Sequence, residues 1–207
     1  MSSDSPSGDP LIRSTSADVS GHRICVVGTS GAGKTYVAEA LARILDIPYV
    51  CNDAIIWRPG WQATPRDEVY ARVEEALGAE AWTFDGNLGA SPEDQLALSR
   101  CDTLVWLDLP RWQVWSSMIR RTIGRAWTKE PLWHGNVESW RMMLSRDSII
   151  LWSLRSFARQ RLRYGAIFRD PGYAGKTRVR VDSRRAVNEW LVALAASRNA
   201  SAPTTGR

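Results

Sequence analysis

Gly28-Thr29-Ser30-Gly31-Ala32-Gly33-Lys34-Thr35 is the stretch that decides the fold. It fits the pattern G-x-x-x-x-G-K-[ST], in which glycines let backbone N–H groups turn inward around phosphate oxygens that side chains would block. Before it, residues 23–27 form a short β-branched run, the mark of a buried parallel strand. After it, Val37, Ala38, Leu41, Ile44 and Leu45 recur at helical spacing on one face. Strand, glycine turn and helix in that order aim the positive end of the helix at the same anion. Residues Gly28, Thr29, Ser30, Gly31, Ala32, Gly33, Lys34 and Thr35 are therefore expected to cradle the phosphates of ATP. Lys34 is expected to reach the β- and γ-phosphates, and the Thr35 hydroxyl to ligate Mg²⁺.

Outward from this loop, strands alternate with helices. Residues 47–51, 82–85, 103–108 and 177–181 read as further strands. Helices are expected from Thr64-Pro65 to Gly78, with Thr64 as N-cap, and over 110 to about 123. Two more are expected over about 137–164 and 182–196. The pattern predicts an α/β sandwich, a parallel sheet between two layers of helices. Ligands of such sheets sit at the carboxyl ends of strands. That edge collects residues 28–35, 51–53, 85–87 and Asp108.

A chain of 207 residues suits one such domain. We expect it over residues 22–196, with a helical lid at about 111–164. Residues 1–21, rich in Ser, Asp, Gly and Pro and lacking the apolar core of a signal peptide, are expected to be a disordered leader. Residues 197–207 are expected to be a disordered tail. No run of eighteen apolar residues occurs, so no membrane partner is expected. Cys25, Cys51 and Cys101, odd in number and without CxxC spacing, argue against disulfides and a zinc site and for a cytoplasmic location.

Charge is unevenly spread along a chain of net +5. Between Arg111 and Arg169 stand eleven arginines and one lysine against three acids. Arginine's planar fork matches phosphate, so this lid segment is a candidate anion-gripping surface. Arg120, Arg121 and Arg125 approach it from one side, Arg141 and Arg146 from the other. Of these, Arg121 and Arg125 are taken as catalytic, neutralising charge on the transferring phosphoryl group. His134, a lone lid histidine, reads as structural or solvated.

The other strand ends offer three aspartates. Asp85, before Gly86-Asn87, is assigned to hold Mg²⁺ through its waters; otherwise it starts a tight turn. Asp53 is assigned as the group that orients and deprotonates an attacking hydroxyl. Asp108 reads as structural, a cap for the helix beginning near Pro110. Trp57 and Trp61 could stack on an acceptor, but packing is the plainer reading.

These residues resemble the adenylate-kinase-like P-loop kinases, and among them the group labelled DNA topology modulation proteins. The resemblance spans about residues 22–195. Besides the glycine loop it rests on Asp53-Ala-Ile-Ile-Trp57-Arg-Pro-Gly-Trp61, Phe84-Asp85-Gly86-Asn87 and Trp106-Leu-Asp-Leu-Pro110. It continues in Trp133-His-Gly-Asn-Val-Glu-Ser-Trp140 and Ser145-Arg-Asp-Ser-Ile-Ile-Leu-Trp152. The resemblance implies a five-stranded sheet of order 2-3-1-4-5, an acceptor region after the second strand, and an arginine-bearing lid. Adenylate kinases carry an arginine after the Asp-Gly of strand three; here Asn87-Leu88-Gly89 follows. That departure points away from AMP and towards a less charged, hydroxyl-bearing acceptor. The expectation is an ATP- and Mg²⁺-dependent kinase acting on a nucleoside or nucleotide, a metabolite or an antibiotic. The alternative is an ATP-switched protein whose arginines lie on nucleic acid. No nucleic-acid-reading motif supports it, and it is not favoured.

Overall fold

The computed structural model describes residues 19, 21–89, 91–137 and 149–201. β1 (Arg23–Gly28) is the central strand, entirely apolar between Ile24 and Val27 because both of its faces are covered. Around it lie β2 (Tyr49–Cys51), β5 (Trp82–Asp85), β6 (Thr103–Leu107) and β7 (Thr177–Val181), in the order β2-β5-β1-β6-β7, all parallel. Two further strands, β3 (Trp57–Arg58) and β4 (Gln62–Ala63), form a small antiparallel hairpin outside this sheet. The five main strands thus take the expected α/β arrangement, and the hairpin is an addition that the sequence reading lacked.

Strand alternation divides the core in two. Ile24, Val26, Val105, Leu107, Val179 and Val181 pack on one face against α1 (Lys34–Leu45) and α7 (Arg184–Ser201). Cys25, Val27, Trp82, Phe84, Leu104 and Trp106 pack on the other, against α3 (Arg66–Ala76), α4 (Pro92–Arg100) and the end of α6 (Ile149–Arg169). Thr83 points into the first face, where its hydroxyl donates to Ala38 O at 3.1 Å, so its burial leaves no orphan. The remaining helices are α2 (Asn52–Ile56), directly after β2, and α5 (Arg111–Thr128), after β6.

Several boundaries differ from expectation, each for a local reason. Thr64 is not the N-cap of α3: its hydroxyl is taken by Ile55 O and its N–H by Ile56 O, which anchors it to α2. Helix α4 was missed, although Ser91 caps it by accepting from Asp94 N and Pro92 starts it. Helix α5 runs on past residue 123 to Thr128, ending at Lys129 in a left-handed conformation. Val137 pairs with Pro131 in an isolated bridge rather than opening a helix. The last helix continues through Ser201, past the expected start of the tail. The three cysteines are free thiols; Cys25 and Cys51 lie in strands, and Cys101 is the C-cap residue of α4. Most of the expected leader, residues 202–207 and the lid residues Arg141 and Arg146 lie outside the described residues. Among the described residues no helix is long and apolar enough to cross a membrane.

Candidate active site

The glycine loop leaves β1 and enters α1 with two residues in the left-handed region, Gly31 at φ +89° and Gly33 at φ +94°. A Cβ on Gly31 would stand 2.8 Å from Val114 O and 2.9 Å from Met118 Cβ, so the loop presses directly on α5. A Cβ on Gly33 would meet nothing within 4 Å. One glycine is required by packing against protein; the other borders open space. Lys34 and Thr35 open α1, and the N–H groups of a first helical turn have no carbonyl four residues back. The loop thus offers donors and room together, which fits a polyphosphate.

Lys34 folds back over this loop, and its Nζ donates to Gly28 O at 3.0 Å. Enclosure by protein lowers its pKa; Asp85 and Asp53 push it back up, and Arg121 lowers it further. These influences place Lys34, Asp85, Asp53 and Arg121 in one electrostatic unit. Thr35 Oγ1 donates to Asp85 Oδ2 at 2.6 Å, joining the two residues assigned to the metal. Tyr49 Oη donates to the same oxygen at 3.4 Å from β2. That contact follows from the register, which sets Tyr49 opposite Thr83 and Cys51 opposite Asp85.

Asp53 stands on the first turn of α2 and keeps solvent access at the mouth of the cleft. The surrounding protein raises its pKa above the ordinary carboxylate value. Lys34 and Arg121 lower it, and Asp85 raises it. Arg121 is exposed on α5, and Arg125 follows one turn later, half-buried. Arg120 is also exposed. Beside the loop, Ala32, Gly33, Tyr36, Leu109, Ser117 and Arg184 border a hollow of about 270 Å³. A larger one, about 480 Å³, lies at the opposite, amino edge of the sheet among Gly21, Asp102 and Lys176, away from every strand carboxyl end.

Asp108 is structural, as expected, but not as a helix cap. Buried at the end of β6, it is gripped by Arg161 (Nε to Oδ1 2.6 Å) and by Arg180 (Nη2 to Oδ2 2.5 Å). Two of the arginines that colour the lid and last strand are therefore spent on holding α6 and β7 to the sheet.

Sequence reasoning missed the junction between the lid loop and the hairpin after α2. Asn136, buried, accepts from Trp61 N at 3.0 Å and donates to Arg58 O at 2.9 Å. Trp61 Nε1 donates to Val137 O at 3.1 Å, and His134 Nε2 lies 2.9 Å from Ala54 O. Trp57 and Trp61 stack edge to face at 5.7 Å. These contacts tie both tryptophans and the exposed His134 into one junction. In the sequence only Gly60 and Gly135 hint at it; the structure shows both, with Trp61 and His134, in the left-handed region.

No family model matches the chain. Among solved structures it is similar to a gluconokinase from Sinorhizobium meliloti 1021, at 20% identity over 86% of this chain and 94% of that one, TM-score 0.47. It is similar also to shikimate kinase from Bacteroides thetaiotaomicron, at 17% identity over 85% and 97%, TM-score 0.49. A third likeness is to a putative kinase from Chloroflexus aurantiacus, at 16% identity over 83% and 95%, TM-score 0.48. At these values the likenesses say nothing about what this chain binds.

Proposed function

We propose that the protein is a kinase that transfers the γ-phosphoryl group of ATP to a hydroxyl of a small molecule. The observation that carries this reading is the convergence of the glycine loop, Lys34, Thr35, Asp85 and Asp53 at one end of the β2–β5–β1 strands. The polyphosphate lies against the N–H groups of Gly31, Gly33, Lys34 and Thr35, with Lys34 on the β- and γ-phosphates. The base occupies the hollow beside Tyr36 and Leu109.

Thr35 and Asp85 are the residues that would hold Mg²⁺: a hydroxyl and a carboxylate are the hard oxygen donors this ion takes. Bound there, Mg²⁺ supplies positive charge to the phosphate oxygens. Asp53 accepts the proton of the acceptor hydroxyl. The hydroxyl oxygen bonds to the γ-phosphorus as the bond to the β,γ-bridging oxygen breaks, ADP leaves, and Asp53 returns its proton to solvent. The raised pKa of Asp53 suits it to take that proton. Arg121, which already bears on Lys34 and Asp53, neutralises charge on the transferring group. Arg125 extends the same cationic side of α5. Such transfer needs mainly positioning and charge neutralisation.

Lys34→Ala tests the reading. It should abolish ATP turnover and leave the thermal melt within a few degrees of wild type. Retained turnover in that variant would refute the assignment of the loop as the active site.

A further inference from the structure

We propose that Cys25 and Cys101 are a redox-active pair, which hydrogen peroxide converts to a disulfide and small thiols reduce again. The inference goes beyond the kinase reading and does not depend on it. Cys25 lies in the amino half of β1 and Cys101 just before β6, towards the sheet edge opposite the phosphate loop.

Shared contacts set the two residues together. Cys25 Sγ lies 3.5 Å from Ala97 O, and Cys101 N donates to that same oxygen at 3.0 Å. The two thiols also hydrogen-bond each other. Their frame is firm, since β1 is the central strand and Cys101 joins the end of α4 to β6. Lys176 Nζ braces the same turn, donating to Cys101 O and, at 3.0 Å, to Ser99 O. Thiols in contact need only a short approach of the sulfurs to bond.

Access and charge give the two members different parts. Cys101, itself 2% exposed, borders the 480 Å³ hollow at this edge together with Asp102, Gly172 and Lys176. Peroxide is little larger than water, and within that hollow it stands beside Cys101. Cys25 is fully buried. The hydrogen bond from Cys25 lowers the Cys101 pKa, and Lys176 adds to this against the effect of burial. Burial and the bond to Cys101 push the Cys25 thiol up. Cys101 is therefore the thiolate that attacks, and Cys25 the thiol that resolves. Cys51 is separated from β1 by β5 and is hydrogen-bonded to Tyr49 instead.

The Cys101 sulfur takes one oxygen of peroxide as the O–O bond breaks. The other oxygen leaves as hydroxide, takes up the proton Cys101 released and becomes water. The Cys25 sulfur then bonds to the Cys101 sulfur as the S–O bond breaks, and that hydroxyl leaves with the Cys25 proton as a second water. Two thiols are oxidised, and peroxide is reduced by two electrons.

The test exposes the full native chain to hydrogen peroxide, blocks the remaining thiols and maps the peptides by mass spectrometry without reduction. Cys25 and Cys101 should be joined in a chain lighter by about 2 Da, with Cys51 free and all three thiols restored by dithiothreitol. Cys25→Ser should stop at a Cys101 sulfenic acid, trapped by a 1,3-diketone probe, whereas Cys101→Ser should leave Cys25 a thiol. Lys34→Ala should oxidise at the wild-type rate, whatever becomes of ATP binding. The oxidised chain should melt higher than the reduced one, because the bond closes a long loop. Joining through Cys51, joining between chains, or Cys25 and Cys101 still free once Cys51 is oxidised overturns the inference. So does a disulfide that forms only in urea, which would make it a property of the unfolded chain.

Discussion

Alanine at Gly31 and at Gly33 should separate the two tasks of the phosphate loop. Both positions are left-handed, at φ +89° and +94°, which costs a non-glycine residue about 1–2 kcal/mol. At Gly33 nothing else opposes the methyl group, because its nearest surroundings are open. At Gly31 the methyl would lie 2.8 Å from Val114 O and 2.9 Å from Met118 Cβ, both on the firm frame of α5. Relieving that overlap adds about 1–3 kcal/mol. Total losses are therefore about 1–2 kcal/mol for Gly33→Ala and about 2–5 kcal/mol for Gly31→Ala. For a domain of this size each kcal/mol moves the midpoint by about 3 °C. Gly33→Ala should melt about 3–6 °C lower and Gly31→Ala about 6–15 °C lower. Affinity for ATP should not follow stability: the Gly33 methyl fills space meant for phosphate oxygens, so binding should weaken at least tenfold despite the mild structural cost. Differential scanning fluorimetry and ATP titration on the same samples measure both. Gly33→Ala melting as low as Gly31→Ala, or binding ATP like wild type, would refute the reasoning.

Asp53→Asn should slow phosphoryl transfer far more than it weakens ATP binding; transfer near the wild-type rate would make Asp53 structural. Because its folded pKa is raised, the carboxyl favours folding at pH below its ordinary value, and that contribution is lost as pH rises through the folded pKa. The Asn variant should therefore melt higher than wild type at pH 7–8, the gap closing in acid. The acid limb of the transfer rate should lie above the ordinary carboxylate value of about 4 and move higher still in Arg121→Leu, since Arg121 lowers the Asp53 pKa. Asp108→Ala should cost about 2 kcal/mol, less than the roughly 3–5 kcal/mol of a fully buried pair because Arg161 is half exposed. The melt should fall by about 6 °C; no change would mean that Arg161 and Arg180 satisfy themselves elsewhere.

The features legible in the sequence were those encoded over short distances. The glycine loop needs only neighbours along the chain, and the buried strands announce themselves as apolar runs between turn residues. Asp85 and Asp53 could be placed at one sheet edge because the strand order brings strand ends together whatever the loops do. The hairpin at residues 57–63 was not legible, since two-residue strands carry no alternation. Nor was the fate of Asp108, whose arginines lie 53 and 72 residues further along the chain. The junction through Asn136 depends on contacts across about 75–80 residues, and an asparagine in a loop carries no mark of being buried. Helix α4 is a different case. Its Ser91-Pro92 start and Asp94 cap were there to be read.

Titration calorimetry of the purified chain with a non-hydrolysable ATP analogue, with and without Mg²⁺, tests the polyphosphate pocket most directly. The account predicts saturable binding in Mg²⁺, weakened at least tenfold by its removal and lost in Lys34→Ala. A protein that shows no Mg²⁺-dependent affinity for any nucleoside triphosphate would contradict it.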